Sequence, residues 1–351
     1  MRRLGGLLFV LAVAACSHRP SDKQLSTWSE EVQQEEESLK KKGVSSETAK
    51  WTLSVRGNVD GNGAEYDWPR IVAMANTHVK TTCPTHTKDV NAIVDYRGLL
   101  ISELLKELNA HESDGPGGKE LTVIAADGYV GARQMNEVMR WPVILAIEED
   151  GVPLVKNTGG PLLELLPHTS HPESKRMYGE GGAYYVTTLI VGTEKLAVSV
   201  GGKTLREKEL HALPERLVEG KHAFRFRWPS GEVRVHGPRL RDVLGAAGVK
   251  VTAADRVLVR RKRHTDTAAR EVTTIDGKDV LDCDIVLGLR HGADRALLPA
   301  VLGGPAVVAF PPACPNASRG QAWPTFVESI EILPKGEAKE PAVPKEKGDG
   351  G

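Results

Sequence analysis

Apolar residues come in short runs along the middle of the chain, and turn residues separate them. Val143–Ile147 form one such run, which leads into Asp150 and Gly151. Asp-Gly favours positive φ at both central turn positions and is typical of a β-hairpin. A Gly-Gly-Pro unit then begins at Gly159 and precedes a second apolar run that ends at Pro167. Paired glycines allow close approach of the backbone, and a proline fixes φ just before a strand.

The same arrangement returns between Cys283 and Pro312, where a second Gly-Gly-Pro unit begins at Gly303. Other elements recur in the same order. Each set has an opening alternating strand, a glycine followed by an amphipathic helix, a middle strand and a closing strand. These elements fall at 51–57, 98–108, 121–129 and 185–191, and again at 196–202, 237–247, 256–264 and 326–333. We interpret this as a duplicated domain, and the mixture predicts an α+β fold with mixed β-sheets and short helices.

The N-terminus has the order of a secretory signal. Arg2 and Arg3 precede an apolar run from Leu4 to Ala15, which is too short for a membrane helix. The end of this run, Val13-Ala14-Ala15-Cys16, resembles a bacterial lipobox, which implies cleavage before Cys16 and lipidation of its thiol. An ordinary signal peptide with an incidental cysteine is the alternative. The expected location is the cell envelope, where the lipid anchor attaches the protein to a membrane and the protein faces the periplasm or the exterior.

These patterns predict five regions. Residues 1–15 form the signal peptide, and 16–50 form a lipidated tether or helix with apolar residues at helical spacing (Leu25, Trp28, Val32 and Leu39). Residues 51–193 form the first domain copy and 194–334 the second. Residues 335–351 are rich in Lys, Glu, Pro and Gly and cannot bury enough apolar surface to order, so we expect a disordered tail.

Charge and cysteine content exclude several classes of protein. Lys+Arg and Asp+Glu both number 46, so no net field attracts nucleic acid. The chain has 4 cysteines in 351 residues, which excludes a disulfide scaffold. The densest basic run, Arg256–His264, predicts either a charged solvent face or an anion site, and the solvent face is the default.

Four pieces of the first copy together resemble the molybdopterin-binding domain of the sulfite oxidase family. These are Cys83 ahead of Tyr96-Arg97-Gly98-Leu99, the triplet Asp127-Gly128-Tyr129, the run Leu145–Leu154, and Gly159-Gly160-Pro161-Leu162. The resemblance covers about 51–193, with a more diverged relative in the second copy. It implies a molybdenum–molybdopterin cofactor, oxidation or reduction of a small-molecule substrate, and an envelope electron-transfer partner.

The resemblance also implies site residues. In that family a cysteine thiolate binds molybdenum, so Cys83 is the candidate catalytic and metal-binding residue. Asp127, Gly128, Tyr129, Gly159, Gly160 and His168 are the candidate cofactor-binding residues. With Cys16 acylated, Cys283 and Cys314 could pair in an oxidising compartment and leave Cys83 as a thiol. A small buried hydrophobe is the alternative role for Cys83.

Departures from the family pattern favour a second hypothesis. The family usually has an arginine after Gly-x-Pro-Leu, but this chain has Leu163 and, in the second copy, Val307, neither of which can donate to a phosphate. The second copy also has no cysteine between Phe224 and Gly237. The alternative function is therefore a cofactor-free binding module that keeps the fold.

The histidines that follow the second apolar run raise two further possibilities. His168 and His171 are predicted to lie in a loop with Lys175 and Arg176, either solvated or close to a cofactor or substrate. Together with Cys83 and His86 they have the spacing of zinc ligands. Nothing in the sequence forces the two pairs to meet, so zinc is the less favoured interpretation.

Overall fold

The computed structural model describes residues 48–61, 63–82, 91–114, 117–178, 182–221, 232–262, 272–315 and 323–333. The chain divides into two compact units, Met1–Ser45 and Ser46–Gly351, and all described residues lie in the second. The predicted signal and lipidation site at Cys16, the tether up to residue 47, Cys83 and the tail from 335 lie outside the described residues. The tether's last residues, Thr48–Lys50, form a 3-10 turn.

The strands and helices divide into a first half, residues 52–191, and a second half, residues 197–333. The strands of the first half are β1 (Thr52–Gly57), β2 (Ala64–Asp67), β3 (Thr77–Thr82), β4 (Ile93–Leu100), β5 (Glu120–Ala125), β6 (Val130–Gln134), β7 (Ile144–Glu149), β8 (Val152–Pro153), β9 (Leu163–Leu165) and β10 (Val186–Val191). Its helices are α1 (Trp68–Met74), α2 (Ile101–Glu107), α3 (Met135–Val138) and α4 (Pro172–Tyr178).

The strands and helices of the second half are similar in length to those of the first half. Its strands are β11 (Ala197–Val200), β12 (Lys203–Arg206), β13 (Glu215–Lys221), β14 (Glu232–Pro238), β15 (Arg256–Arg261), β16 (Val272–Asp276), β17 (Val286–Gly288), β18 (Arg290–His291), β19 (Ala296–Leu297), β20 (Val307–Ala309) and β21 (Val327–Leu333). Its helices are α5 (Glu207–His211), α6 (Leu240–Ala246) and α7 (Gly277–Asp282).

The described strands of the first half form two sheets. One has the order β2-β1-β10-β5-β6, in which β1 and β10 pair in parallel and the other neighbours are antiparallel. The other runs β3-β4-β7-β8, with β9 paired to β7. Leu53 and Val55 of β1 are fully buried, as the alternating pattern predicted. The predicted hairpin turn is confirmed, because Asp150 and Gly151 have φ values of 46° and 79° between β7 and β8.

The second half has the same strand order and the same pairing senses in its larger sheet, β12-β11-β21-β15-β16. The parallel pair is here β11 with β21, and the other neighbours are antiparallel. The hairpin β3–β4 pairs Thr77 with Gly98, and the hairpin β13–β14 pairs Arg216 with Gly237. The α+β class with mixed sheets and short helices is therefore confirmed.

Each half has its own hydrophobic core, and a small cluster joins the two. The joining cluster takes Ile124, Val130 and Ile190 from the first half, and Ala300 and Phe326 from the second. Among the residues that the structure describes, no helix is long and apolar enough to cross a membrane.

Close backbone contact explains the glycine that precedes α2. A Cβ at Gly98 would lie 2.3 Å from the carbonyl oxygen of Leu145 on the neighbouring strand β7. Gly237 has the same environment, with a Cβ that would lie 1.9 Å from the carbonyl oxygen of Leu287. The close approach of the β7 backbone at this one position of β4 therefore requires a residue without a side chain.

We predict that Gly98→Ala lowers the free energy of unfolding by about 1–3 kcal/mol, because the new methyl group must push the β7 backbone away. Chemical denaturation of the purified protein measures the change. Gly245→Ala is the control, since Gly245 lies in α6 with open space where a Cβ would be. It should raise the free energy of unfolding by about 0.5–1 kcal/mol. Equal effects of the two substitutions would contradict this explanation.

Candidate functional site

The predicted triplet Asp127-Gly128-Tyr129 forms the turn between β5 and β6. The backbone N–H of Tyr129 donates to Asp127 Oδ1 at 2.8 Å, and the N–H of Gly128 donates to the carbonyl of Ala125 at 2.8 Å. Gly128 has φ +83°, which favours glycine. Asp127 thus closes the turn with its own side chain, as aspartate often does, and the turn presents Tyr129.

Gly159 and Gly160 pack directly against other parts of the chain. A Cβ at Gly159, where φ is +84°, would lie 2.3 Å from Cδ1 of Tyr184. A Cβ at Gly160 would lie 2.5 Å from the backbone carbonyl of Leu154. The close approach predicted for this pair is therefore made by the protein itself. Cofactor binding by these glycines stays a prediction.

Tyr185 brings these two predicted pieces together. Its backbone N–H donates to the carbonyl of Gly159 at 3.1 Å, and its own carbonyl accepts from the N–H of Ala126 at 2.8 Å. Its hydroxyl donates to the carbonyl of Lys156 at 2.7 Å. Burial, followed by the negative charge of Asp127, raises the pKa of Tyr185 above its ordinary value.

A fully buried ion pair lies next to the turn that presents Tyr129. Arg133 on β6 donates through Nε to Glu164 Oε1 at 2.8 Å and through Nη2 to Glu164 Oε2 at 2.7 Å. Both side chains are 0% exposed. Glu164 Oε2 also accepts from the backbone N–H of Ala183 at 3.1 Å, and Arg133 Nη1 donates to the carbonyl of Ala132 at 3.1 Å. Burial alone would lower the pKa of Arg133, but the charge and hydrogen bonds of Glu164 outweigh burial and raise it.

Two tyrosines flank the guanidinium of Arg133. The ring of Tyr178 on α4 lies 5.0 Å from the guanidinium carbon, within cation–π range. The hydroxyl of Tyr129 is a further hydrogen-bond partner of Arg133. Gly131 leaves room for this contact, because a Cβ there would lie 2.9 Å from the Tyr129 hydroxyl.

Tyr178 also holds the start of α3. Its hydroxyl accepts from the backbone N–H of Gln134 at 2.9 Å and donates to the carboxylate of Glu137. Burial, followed by the hydrogen bond to Glu137, raises the pKa of Tyr178 to about 12.

His168 is buried, with 7% of its surface exposed. Its Nδ1 lies 2.7 Å from Ser174 Oγ, and that hydroxyl donates to the carbonyl of His171 at 2.7 Å. Ser174 therefore accepts from His168, which places the histidine proton on Nδ1. The prediction that residues 168–176 form a loop was wrong from Pro172 onward, because Pro172–Tyr178 is a helix. The segment has little apolar periodicity, so its helix was not recognisable from the sequence pattern.

Cys83 follows β3 directly in the sequence but lies outside the described residues. The described end of β3 contacts the segment that leads to His168, because Thr81 Oγ1 donates to the carbonyl of Leu166 at 3.1 Å. Thr81 is fully buried. The end of β3, next to Cys83 in the sequence, is thus held at Leu166, which is two residues before the buried His168.

Sequence reasoning missed Arg133, Glu164 and Tyr178. Glu164 did carry a signal, because it is the one charged residue between Pro161 and Pro167 in an otherwise apolar run. A carboxylate in such a run must find a partner once it is buried. The identity of the partner was not recoverable, since Arg133 lies on another strand and in another sheet.

The remaining predicted groups lie apart from this cluster. Cys283 is half-buried and Cys314 buried, and no disulfide joins them, so the possible pairing does not occur. In the basic run, Arg260 pairs with Glu331 at 3.2 Å on a half-exposed face, which favours the charged-face interpretation. Lys262 instead pairs at 2.7 Å with Glu194, whose side chain is buried.

The donor chemistry around the cluster bears on whether a pterin cofactor fits. Arg133 is committed to Glu164, so it cannot also hold a phosphate. Lys175 and Arg176 are exposed in the last turn of α4 and have the charge that an anionic group needs. Within the described ranges no group of three or more His, Cys, Asp or Glu side chains could hold a metal. The described residues therefore offer cations for the anionic part of such a cofactor on the α4 side, and Cys83 as its soft ligand stays a prediction.

Residues 41–174 match the family described as "oxidoreductase molybdopterin binding domain". Among solved structures, the sulfane dehydrogenase SoxCD from Paracoccus pantotrophus is similar at 16% sequence identity, with a TM-score of 0.32. The match covers 76% of this chain, and the chain spans only 64% of that one. No curated protein matches the sequence.

We predict a distinct alkaline behaviour for Tyr178. Its folded pKa of about 12 lies above its ordinary value of 10.0, so its stabilising contribution is present below pH 10 and is lost as pH rises through about 12. Below pH 10, Tyr178→Phe should reduce the free energy of unfolding by about 1–2 kcal/mol. The difference in the free energy of unfolding between Tyr178→Phe and wild type should narrow above pH 10. Denaturant unfolding at stepped pH, with absorbance at the phenolate band, measures both, and a gap that stays constant would contradict the assignment.

Proposed function

We propose that this chain is an exported, lipid-anchored protein whose first domain, residues 51–193, is a molybdopterin-dependent oxidoreductase of a small substrate. Cys83 would hold molybdenum, and electrons would pass to a partner in the envelope. The match of residues 41–174 to a molybdopterin-binding family supports the cofactor class.

The observation that carries the proposal is the position of the strand end before Cys83. The hydrogen bond from Thr81 to Leu166 holds this strand end beside the chain that leads to His168. Lys175 and Arg176 follow on α4. One soft ligand, one buried imidazole and two cations thus come from neighbouring segments. Each belongs to a residue type that a metal with an anionic organic ligand requires.

The residues of the chain would divide the work. When bound, the cofactor supplies two-electron redox chemistry at a metal with an open site. Cys83 would bind as a thiolate, and the cations of α4 would hold the anionic part. His168, with its proton fixed on Nδ1 by Ser174, would supply a buried imidazole beside the bound group. Tyr129, held by Arg133, would orient the ligand.

We also propose that residues 51–193 and 194–334 descend from one duplicated unit. Their larger sheets share order and pairing sense. The N–H of Tyr185 donates to Gly159 O, and the N–H of Phe326 donates to Gly303 O at 2.6 Å, with both donors at positive φ. Cys83 follows β3, whereas His222 follows β13 in the sequence. The second copy would therefore be structural.

A cofactor-free binding module is the alternative function. The residues after the two Gly-Gly-Pro-apolar units are Leu163 and Val307, so neither copy supplies the arginine of the family pattern. Arg133 does not replace this arginine, because its Nε and Nη2 groups already donate to Glu164. Such a module would bind through residues 168–176, which include the first residues of α4, or through the basic strand β15.

We predict stoichiometric molybdenum in full-length protein matured in a molybdenum-replete host, and its loss in Cys83→Ser, because a hydroxyl is a poor replacement for a soft thiolate. Elemental analysis of the purified protein measures the metal. Cys283→Ser is the matched control and should keep it. Folded wild-type protein without molybdenum would refute the enzyme and support the binding module. A zinc signal would instead favour a Cys/His zinc site.

For the anchor, we predict that Cys16→Ala moves the protein from the membrane fraction to the soluble fraction. Each buried acyl methylene contributes about 0.8 kcal/mol to membrane binding, so loss of the acyl chains removes the attachment. Ser17→Ala is the control and should leave fractionation unchanged. Lipidation is refuted if Cys16→Ala still sediments with membranes.

A further inference from the structure

The second half fills the position of Arg133 with an apolar residue. Arg133 is the residue before the last in β6, a strand that pairs with β5 and runs into helix α3. Ile275 is the residue before the last in β16, which pairs with β15 and runs into helix α7. The two strands occupy the same edge position in their sheets.

The position of Glu164 is likewise apolar in the second half. Glu164 is the central residue of β9, pairs with Leu145 and donates its N–H to Ala183 O at 2.8 Å. Val308 is the central residue of β20, pairs with Leu287 and donates its N–H to the carbonyl of Pro324 at 2.8 Å. The backbone environment of the two residues is therefore the same.

Ile275 and Val308 are both 0% exposed and belong to one hydrophobic core cluster. This fold thus closes around two apolar side chains as well as around a buried ion pair. Replacing a buried ion pair by packed apolar residues is often neutral or stabilising, whereas removing one partner leaves an uncompensated buried charge. Stability of the fold therefore does not explain why the first half contains Arg133 and Glu164.

The contacts of the pair suggest what it does. Arg133 holds the hydroxyl of Tyr129 and stacks under the ring of Tyr178. Glu164 accepts from the N–H of Ala183, in the segment that leads into β10. One ion pair thus contacts the Asp127–Tyr129 turn, helix α4 and the segment before β10, which are the three segments around the candidate site.

We propose that Arg133 and Glu164 form a positioning pair, which fixes Tyr129, Tyr178 and Ala183 around the ligand of the first half and is dispensable for folding. The ligand in question rests on the proposed function. The positioning itself is a property of the protein without any ligand. It can therefore be tested separately.

The test uses the full-length chain with the second half's own residues, Arg133→Ile/Glu164→Val, beside each single substitution. We expect the double variant to unfold within about 5 °C of wild type, and each single variant to lose about 10 °C, because each leaves one buried charge unpaired. A double variant as unstable as the singles would overturn the proposal, since the pair would then be structural.

The second readout follows the tyrosines. The chain has 6 tyrosines, so fluorotyrosine labelling gives a ¹⁹F spectrum that Tyr129→Phe and Tyr178→Phe can assign. In the folded double variant both resonances should shift or broaden, and molybdenum per chain should fall at least about tenfold, as for other residues that orient metal ligands. Unchanged resonances in the double variant would overturn the proposal.

Arg260→Ile/Glu331→Val is the matched control, because it removes an ion pair by the same substitutions on a half-exposed face of the second half. It should leave the two resonances and the metal content unchanged. If wild-type protein contains no molybdenum, the proposed function fails. The ¹⁹F spectrum then still decides whether the pair positions the tyrosines.

Discussion

The parallel pairing of β1 with β10 is the constraint on which the rest of the first half depends. Ser54 lies opposite Thr188 and Gly57 opposite Val191, so the chain must return to its starting strand in the same direction. A parallel neighbour cannot be reached by a tight turn. The intervening chain therefore builds the hairpin sheet before it re-enters beside β1. Tyr185 stands at this re-entry, where it joins the Gly159 segment to the turn of Asp127.

Electrostatics are uneven across the molecule. Pairs such as Arg260–Glu331 are about half exposed, and such pairs contribute little because water and salt screen them. The Arg133–Glu164 pair is fully buried, and its geometry is complete, with two parallel hydrogen bonds and further backbone partners. This contrast separates charges that keep a surface hydrated from charges that organise a site. It also explains why the dense basic run of β15 is not the most informative charged feature.

Much of the fold was predictable because its causes are local. Alternation gave the strands, and the turn at Asp150 and Gly151 and the glycine before α2 followed from backbone sterics. Helix α4 was missed because its only buried residue is Ser174. This helix has no apolar stripe. The hydrogen bond between Ser174 and His168, which comes from the tertiary structure, holds its buried side.

The sequence by itself determined the alternating strands, the helix after Gly98 and the close-packed glycines, and it marked Cys83 as the candidate thiol. It also marked Glu164 as a charge in an apolar run, without naming its partner. Only the tertiary structure decided that Arg133 meets Glu164, and that Tyr129 and Tyr178 flank the pair. The physical reason is the range of each interaction. Periodicity and turn chemistry act over a few residues, whereas a buried charge is satisfied by whichever strand the fold brings beside it.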